Sequence, residues 1–322
     1  MSIQDKITRL QNAKADIADA ITAQGGTVNE GDGFEEFAND IGTIQTGGDL
    51  ESFIAGTSTS VTYEGEIVRD CAFAGMSDLE EVNLPNALYI GRDAFANHYY
   101  YSDSEISDPS SGDLAFNNNS LTTVNMPKVT NIMQSAFEEC EGLTSIDLPN
   151  TLIRIGNQAF GNSGLESIVI PDSVLYIDHR AFMGCTHLAA LTLSNGITSI
   201  SDNAFYGCEA LTTLTIPDSV TSIGSNAFSN CYALTTLSIP NSVTSIVGHA
   251  FSGCEALTTI DMTAFEFTDS VPILNISAFS GININAKFYF KDQATLDNFA
   301  AAATWSTYSS KFTTDPVPTP SE

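Results

Sequence analysis

The chain has 322 residues and a formal charge of −28, from 39 acidic against 11 basic side chains. A field of that sign repels phosphate backbones and anionic lipid, so neither nucleic acid nor a membrane surface is an expected partner. No apolar run approaches the ~20 residues of a spanning helix, and the opening MSIQDKITRL is charged where a signal peptide is apolar. Neither membrane insertion nor export by the ordinary secretory route is therefore expected.

Ile3, Ile7, Leu10, Lys14, Ile17 and Ile21 recur at alternating four- and three-residue steps, the seam of a coiled coil with one polar intruder. Isoleucine at both seam positions favours trimers, so Ile3, Ile7, Leu10, Ile17 and Ile21 are the expected oligomerisation residues of a homotrimer. Gly25 and Gly26 stop this helix. A second helix over 34–44 places Phe34, Phe37, Ile41 and Ile44 on one face. Residues 1–46 thus read as a helical hairpin for attachment or oligomerisation, and 49–78 as a degenerate capping repeat that keeps Ala72 and Phe73.

From Leu79 onward the chain repeats itself. The block LTTLTIPDSVTSIGSNAFSNC (211–231) is followed by LTTLSIPNSVTSIVGHAFSGC (234–254). The opening leucines are Leu79, Leu121, Leu143, Leu165, Leu188, Leu211, Leu234 and Leu257, spaced by 22 or 23 residues after one long first gap. Such a period means a solenoid, in which each unit buries its apolar side only against its neighbours. Within a unit, Leu214 and Ile216 alternate with Thr213 and Thr215, a short strand with one buried face. Pro217 lacks an amide hydrogen and ends the ladder. Val220 and Ile223 form a second extended piece, and the recurring Ala–Phe pair, here Ala227 and Phe228, supplies a stacked aromatic spine. Full repeats are expected over about 79–254 and a partial one from Leu257, the solenoid as a whole spanning 79–285.

An insertion at 97–113, NHYYYSDSEISDPSSGD, lengthens the first gap. Long loops on rigid scaffolds often carry function, and Tyr99, Tyr100 and Tyr101 offer contact area at small entropic cost. With Asp103 and Glu105 they form one candidate ligand site. A second candidate is the outward face of the strands, represented by Thr213, Thr215, Thr236, Ser238, Thr259 and Asp261, a ribbon of hydroxyls suited to a glycan or a protein. Cys140, Cys185, Cys208, Cys231 and Cys254 each follow the spine phenylalanine by three residues and read as a buried ladder of reduced thiols. No zinc spacing, phosphate loop or nucleophile motif is present, so no metal, no cofactor and no catalytic residue is assigned.

Phe288 to Phe290 reads as a last strand, and 296–311 as a helix that covers the final rung, within a cap spanning 286–312. Pro316, Pro318 and Pro320 make 313–322 an extended tail.

The pattern LTxLxIPxSVTSIGxxAFxGC over 79–254 resembles the BspA-type leucine-rich repeats. That resemblance implies a right-handed β-solenoid with a parallel sheet along one side. ATWSTYSSKF (303–312) is similar to the terminal cap of such proteins. The stretch from Leu10 to Ile44 is similar to N-terminal segments of tail-associated structural proteins from phages of gut Gram-positive bacteria. Together these imply a non-catalytic phage structural or host-recognition protein, carried on the virion beside other virion structural proteins and binding a host-surface glycan or protein. The alternative they imply is a bacterial cell-surface adhesin.

Overall fold

The computed structural model describes residues 44–46, 59–68, 72–73, 76, 78–96, 120–266, 270–275 and 277–318. They wind into a parallel-sheet β-solenoid of about 10 turns. One turn illustrates most of them. Thr213–Thr215 is a three-residue strand with only Leu214 buried. After Pro217 the chain bends into the two-residue strand Ser222–Ile223, and Ala227 with Phe228 closes the third side. The solenoid therefore carries two ribbons. The first runs from Ser60–Tyr63 to Lys287–Tyr289, the second from Ile67–Val68 to Ile273–Leu274.

A 23-residue period brings like against like across each ladder. Thr213 pairs with Thr236 and then Thr259, Leu214 with Leu237 and then Ile260, and Ser222 with Ser245. Inward leucines, valines and isoleucines from every rung merge into one apolar cluster. Its spine is a column of nine rings: Phe73, Phe95, Phe137, Phe160, Phe182, Phe205, Phe228, Phe251 and Phe279. Adjacent centroids are 5.0 to 5.6 Å apart and their planes lie within 10°. The backbone locks the column in place, because every phenylalanine N–H from Phe73 to Phe251 donates to the alanine carbonyl of the next rung, as from Phe205 to Ala227 at 2.9 Å. The residue before the alanine is left-handed in seven of these rungs, from Asp93 through Asn203 and Asn226 to His249, with φ of 53° to 61°.

The five described thiols are free and buried, and each donates to the phenylalanine carbonyl one rung back, Cys185 to Phe160 at 3.0 Å and Cys254 to Phe228 at 3.3 Å. Ser163 takes the thiol position in its rung and lies 3.4 Å from the Cys185 sulfur.

The ends depart from the sequence expectations. Ile44, placed at the end of a helix, instead begins the strand Ile44–Thr46, antiparallel to Ser60–Tyr63, with Ile44 opposite Tyr63. An open first rung exposes unpaired backbone groups, and this strand satisfies them. The hairpin residues Ile3, Ile7, Leu10, Ile17 and Ile21 lie outside the described residues. The repeat that starts at Leu257 is complete rather than partial: its strands Thr259–Asp261 and Ile273–Leu274 and its ring Phe279 are all in place. A longer connection before Ile273 hides its period.

The helix expected over 296–311 is two pieces. Asp292 caps Gln293–Ala301 by accepting from the Thr295 N–H at 2.8 Å, Ala302 turns extended, and a 3-10 helix follows over Trp305–Lys311. The break lets Trp305 plug the final rung, where its indole N–H donates to the Pro272 carbonyl at 2.8 Å and its ring packs on Phe279, Phe288 and Phe299. Thr313, assigned to the tail, pairs in Phe312–Thr313 beside Lys287–Tyr289.

Candidate functional site

The first ribbon presents the predicted hydroxyl rows. Thr213, Thr236 and Thr259 form one row; Thr215, Ser238 and Asp261 form the next. Thr213 and Thr215 are exposed, Thr236 and Ser238 half-buried, and none of the four hydroxyls makes a hydrogen bond among the described residues. Two members fall out of the set. Thr259 is only 7% exposed, wedged in the ladder between Thr236 and Lys287, whose long side chain reaches Asp315 at 3.6 Å. Asp261 is engaged locally, accepting from the Thr263 N–H at 2.9 Å and hydroxyl at 2.7 Å. The other candidate set, Tyr99, Tyr100, Tyr101, Asp103 and Glu105, lies outside the described residues, between the described Ala96 and Ser120.

A feature that sequence reasoning missed breaks this ribbon. No strand is formed by residues 145–147 between Thr123–Asn125 and Ser167–Val169. A cleft of about 660 Å³ opens there, between Thr123, Asn125 and Pro127 on one rung and Asp147, Pro149 and Asn150 on the next. A change of turn length falls at the same place. Eight residues separate Leu121 from Val129, but nine separate Leu143 from Leu152. The extra residue makes this turn one residue longer than that of the rung before it. The 22-residue spacing from Leu121 to Leu143 was the visible signal. Asn125 is oriented at the cleft by donating to the Asn83 side chain at 2.8 Å.

The second ribbon carries two outward rows, and they change character along the stack. Towards its N-terminal end, Leu88, Thr130, Ile153 and Leu175 make up the first of these rows, and Tyr89, Asn131, Arg154 and Tyr176 make up the other. Leu88, Ile153 and Leu175 are exposed, and Tyr176 is 59% exposed. Further on, the same positions hold Thr198 and Ser199, Thr221 and Ser222, Thr244 and Ser245. The threonines turn inward to their own scaffold: Thr221 and Thr244 each donate to the preceding rung's threonine carbonyl, at 3.1 and 3.0 Å. The pairing of the second ribbon lapses between these two stretches, after Tyr176–Ile177, where Ser194 replaces the turn proline and donates to the Val174 carbonyl at 2.7 Å.

Little in this arrangement is poised for bond making. Among the described residues no three His, Cys, Asp or Glu side chains gather as metal ligands. His179, His187 and His249 are exposed, and the acidic group beside His179 is Asp202, at 3.9 Å. Burial raises every described thiol, Cys185 from 9.0 to about 11 and Cys254 to about 12, so none supplies a thiolate at neutral pH.

Short stacked strands, an invariant aromatic spine and open outward rows define a leucine-rich-repeat protein. Residues 55–163, 110–235 and 177–306 match the model of the BspA type leucine rich repeat region, in 6 copies. The chain belongs to that family. Among solved structures it is similar to a leucine-rich repeat protein from Bacteroides ovatus, at 20% identity over 77% of this chain and 70% of that one, with a TM-score of 0.47. It is also similar to a leucine rich cell surface protein from Faecalibacterium prausnitzii, at 26% identity over 63% and 78%, with a TM-score of 0.36. A leucine rich repeat protein from T. pallidum matches at 23% identity over 68% and 79%, with a TM-score of 0.41. Among curated proteins none matches the chain.

Proposed function

We propose that this chain is a non-catalytic adhesin-like protein that displays the flank of its solenoid at a bacterial cell surface, where it binds a host-surface glycan or protein. One observation carries this reading. The interior is nearly identical from rung to rung, whereas the outward positions of both ribbons differ and, with exceptions such as Thr259, stay at least partly open to solvent. A stack built this way is a rigid mount for side chains that touch something else. Membership of the BspA-type family supports an interaction role over a catalytic one. The phage-tail reading gains no such support, because it rests on residues 10–44 while the family match begins at residue 55. On the first ribbon, Thr213, Thr215, Thr236 and Ser238 are the contact residues of this proposal, with the cleft between Asn125 and Asp147 as its concave region.

The test is saturable binding of the labelled full chain to intact epithelial cells, with protease shaving of intact producing bacteria to place it on their surface. Binding that never saturates, or a chain that shaving leaves untouched, would sink the proposal. Loss of binding in a Thr213→Lys, Thr236→Lys variant would place the contact on the first ribbon.

A further inference from the structure

We infer that the second ribbon between Tyr89 and Tyr176 is a binding strip for an extended, uncharged chain of pyranose sugars. Ladder register sets Tyr89, Asn131, Arg154 and Tyr176 in one straight row, one residue per rung. Rungs lie ~4.8 Å apart, so the two tyrosines stand ~14 Å from each other. A stretched pyranose chain advances by nearly one rung per ring, and the row therefore meets successive sugars in phase. Sugar rings have an apolar C–H face and a polar rim. Tyrosine supplies a flat, rigid face with a polar tip at either end, and the Asn131 amide and Arg154 guanidinium lie between. Leu88, Ile153 and Leu175 form an apolar shoulder along the same row.

Charge and size narrow the occupant. Asp178 holds Arg154 through Nε at 2.9 Å and Nη2 at 2.7 Å, so the pair presents no net charge to a ligand. The chain's overall −28 repels anionic polymers, and with Asp178 already engaged the row offers no open carboxylate to a cationic one. A strip two side chains wide and ~14 Å long falls well short of the ~800 Å² per partner of a stable protein interface. Beyond Tyr176 the row becomes Ser199, Ser222 and Ser245, which have no ring to stack on. The strip thus has a defined end.

This inference rests on the reading of the chain as a non-catalytic binding protein, but not on the first ribbon. Calorimetry of the full chain with cellohexaose, xylohexaose and chitohexaose, and with a hyaluronan hexasaccharide as the anionic comparison, tests it. At least one neutral oligosaccharide should bind, and hyaluronan should not. Tyr176→Ala and Tyr89→Ala should each weaken binding about tenfold or more, as expected when a stacking face is removed. Tyr176→Phe should retain it, and Ser222→Ala with Ser245→Ala, beyond the end of the strip, should leave it unchanged. Because Tyr176 is exposed, circular dichroism of its alanine variant should match the parent. No binding by the three neutral chains, binding that survives Tyr176→Ala, or equal binding of hyaluronan would each overturn the proposal. Saturable cell binding that protease treatment of the cells removes and periodate does not would leave the adhesin reading standing and assign its partner to protein, against the sugar strip. Oligosaccharide binding without any cell binding would do the reverse.

Discussion

The N-terminal and C-terminal halves of the stack share one interior and differ outside it. From Leu165 to Leu257 the rungs repeat at 23 residues, the first ribbon shows mostly threonine and serine, and beyond Leu175 and Tyr176 the second shows nothing larger than threonine up to Ser245. Before Leu165 the spacing falls to 22, an insertion enters after Ala96, the first ribbon opens into a cleft, and the second bears tyrosine, leucine, isoleucine and arginine. The phenylalanine column runs through both without a step, 5.2 Å from Phe137 to Phe160 and 5.2 Å from Phe205 to Phe228. The contrast teaches that stability and recognition are separable here. The spine and the inward leucines supply the first, which leaves the outward rows free to vary.

The interior is not wholly uniform, and its thiols give the largest expected effect. Cys185, Cys208, Cys231 and Cys254 occupy successive rungs of the C-terminal half, whereas Met76, Cys140 and Ser163 fill the equivalent places before it. Burial holds the folded thiols above their ordinary 9.0, Cys185 at about 11 and Cys254 at about 12. The unfolded chain therefore loses its thiol protons first as the pH rises. The stabilisation is fully present below pH ~9 and is lost at ~1.4 kcal/mol per thiol per pH unit above it, until the folded values are reached. Denaturant midpoints measured from pH 8 to 11 should fall steeply. Hydrogen exchange should show 185–254 opening before 121–160, and a uniform loss along the stack would remove the distinction.

Phe205→Ala should cost ~3–5 kcal/mol, as the truncation of a core ring does. Phe137→Ala should cost about as much, although its rung faces a different exterior. Unequal losses in urea melts would show that the spine is not one continuous column. A smaller effect tests the second left-handed position of each rung, where Gly207 has φ 72° and an added Cβ would meet nothing closer than 3.9 Å. Gly207→Ala therefore isolates backbone strain and should cost ~1–2 kcal/mol. Glu139 holds the same conformation, φ 58°, in the N-terminal half, so Glu139→Gly should gain ~0.5–1 kcal/mol. Opposite signs in the two thermal melts would confirm that the two halves solve one turn with different residues. Tyr176→Ala and Thr213→Ala should stay within ~0.5 kcal/mol of the parent, because both side chains point to solvent; a larger loss in either would mean that the exterior also holds the fold.

Much of the fold is legible from spacing. The leucine period, the strand before each proline, the Ala–Phe pair and the cysteine three residues beyond it each stand where the periodicity puts them. Errors gather where the period is disturbed. The connection before Ile273 disguises a complete rung, and the alanines at 300–303 give no sign that Ala302 breaks the cap helix. Of the candidate binding residues, Thr213 and Thr215 face outward as the alternation predicts, while Thr259, at the same register, is buried. Leu88, Leu175 and Tyr176 escape a reading of the sequence because no local rule separates them from the core positions beside them.

The repeat by itself determined the solenoid, because a unit too short to bury its own apolar face has only its neighbours to bury it against. What lies against what, rung upon rung, was decided by the tertiary structure. Whether an outward side chain is open, as at Tyr176, or covered, as at Thr259, depends on residues 22 or more positions away. The cleft between Asn125 and Asp147 exists only once their two rungs are stacked.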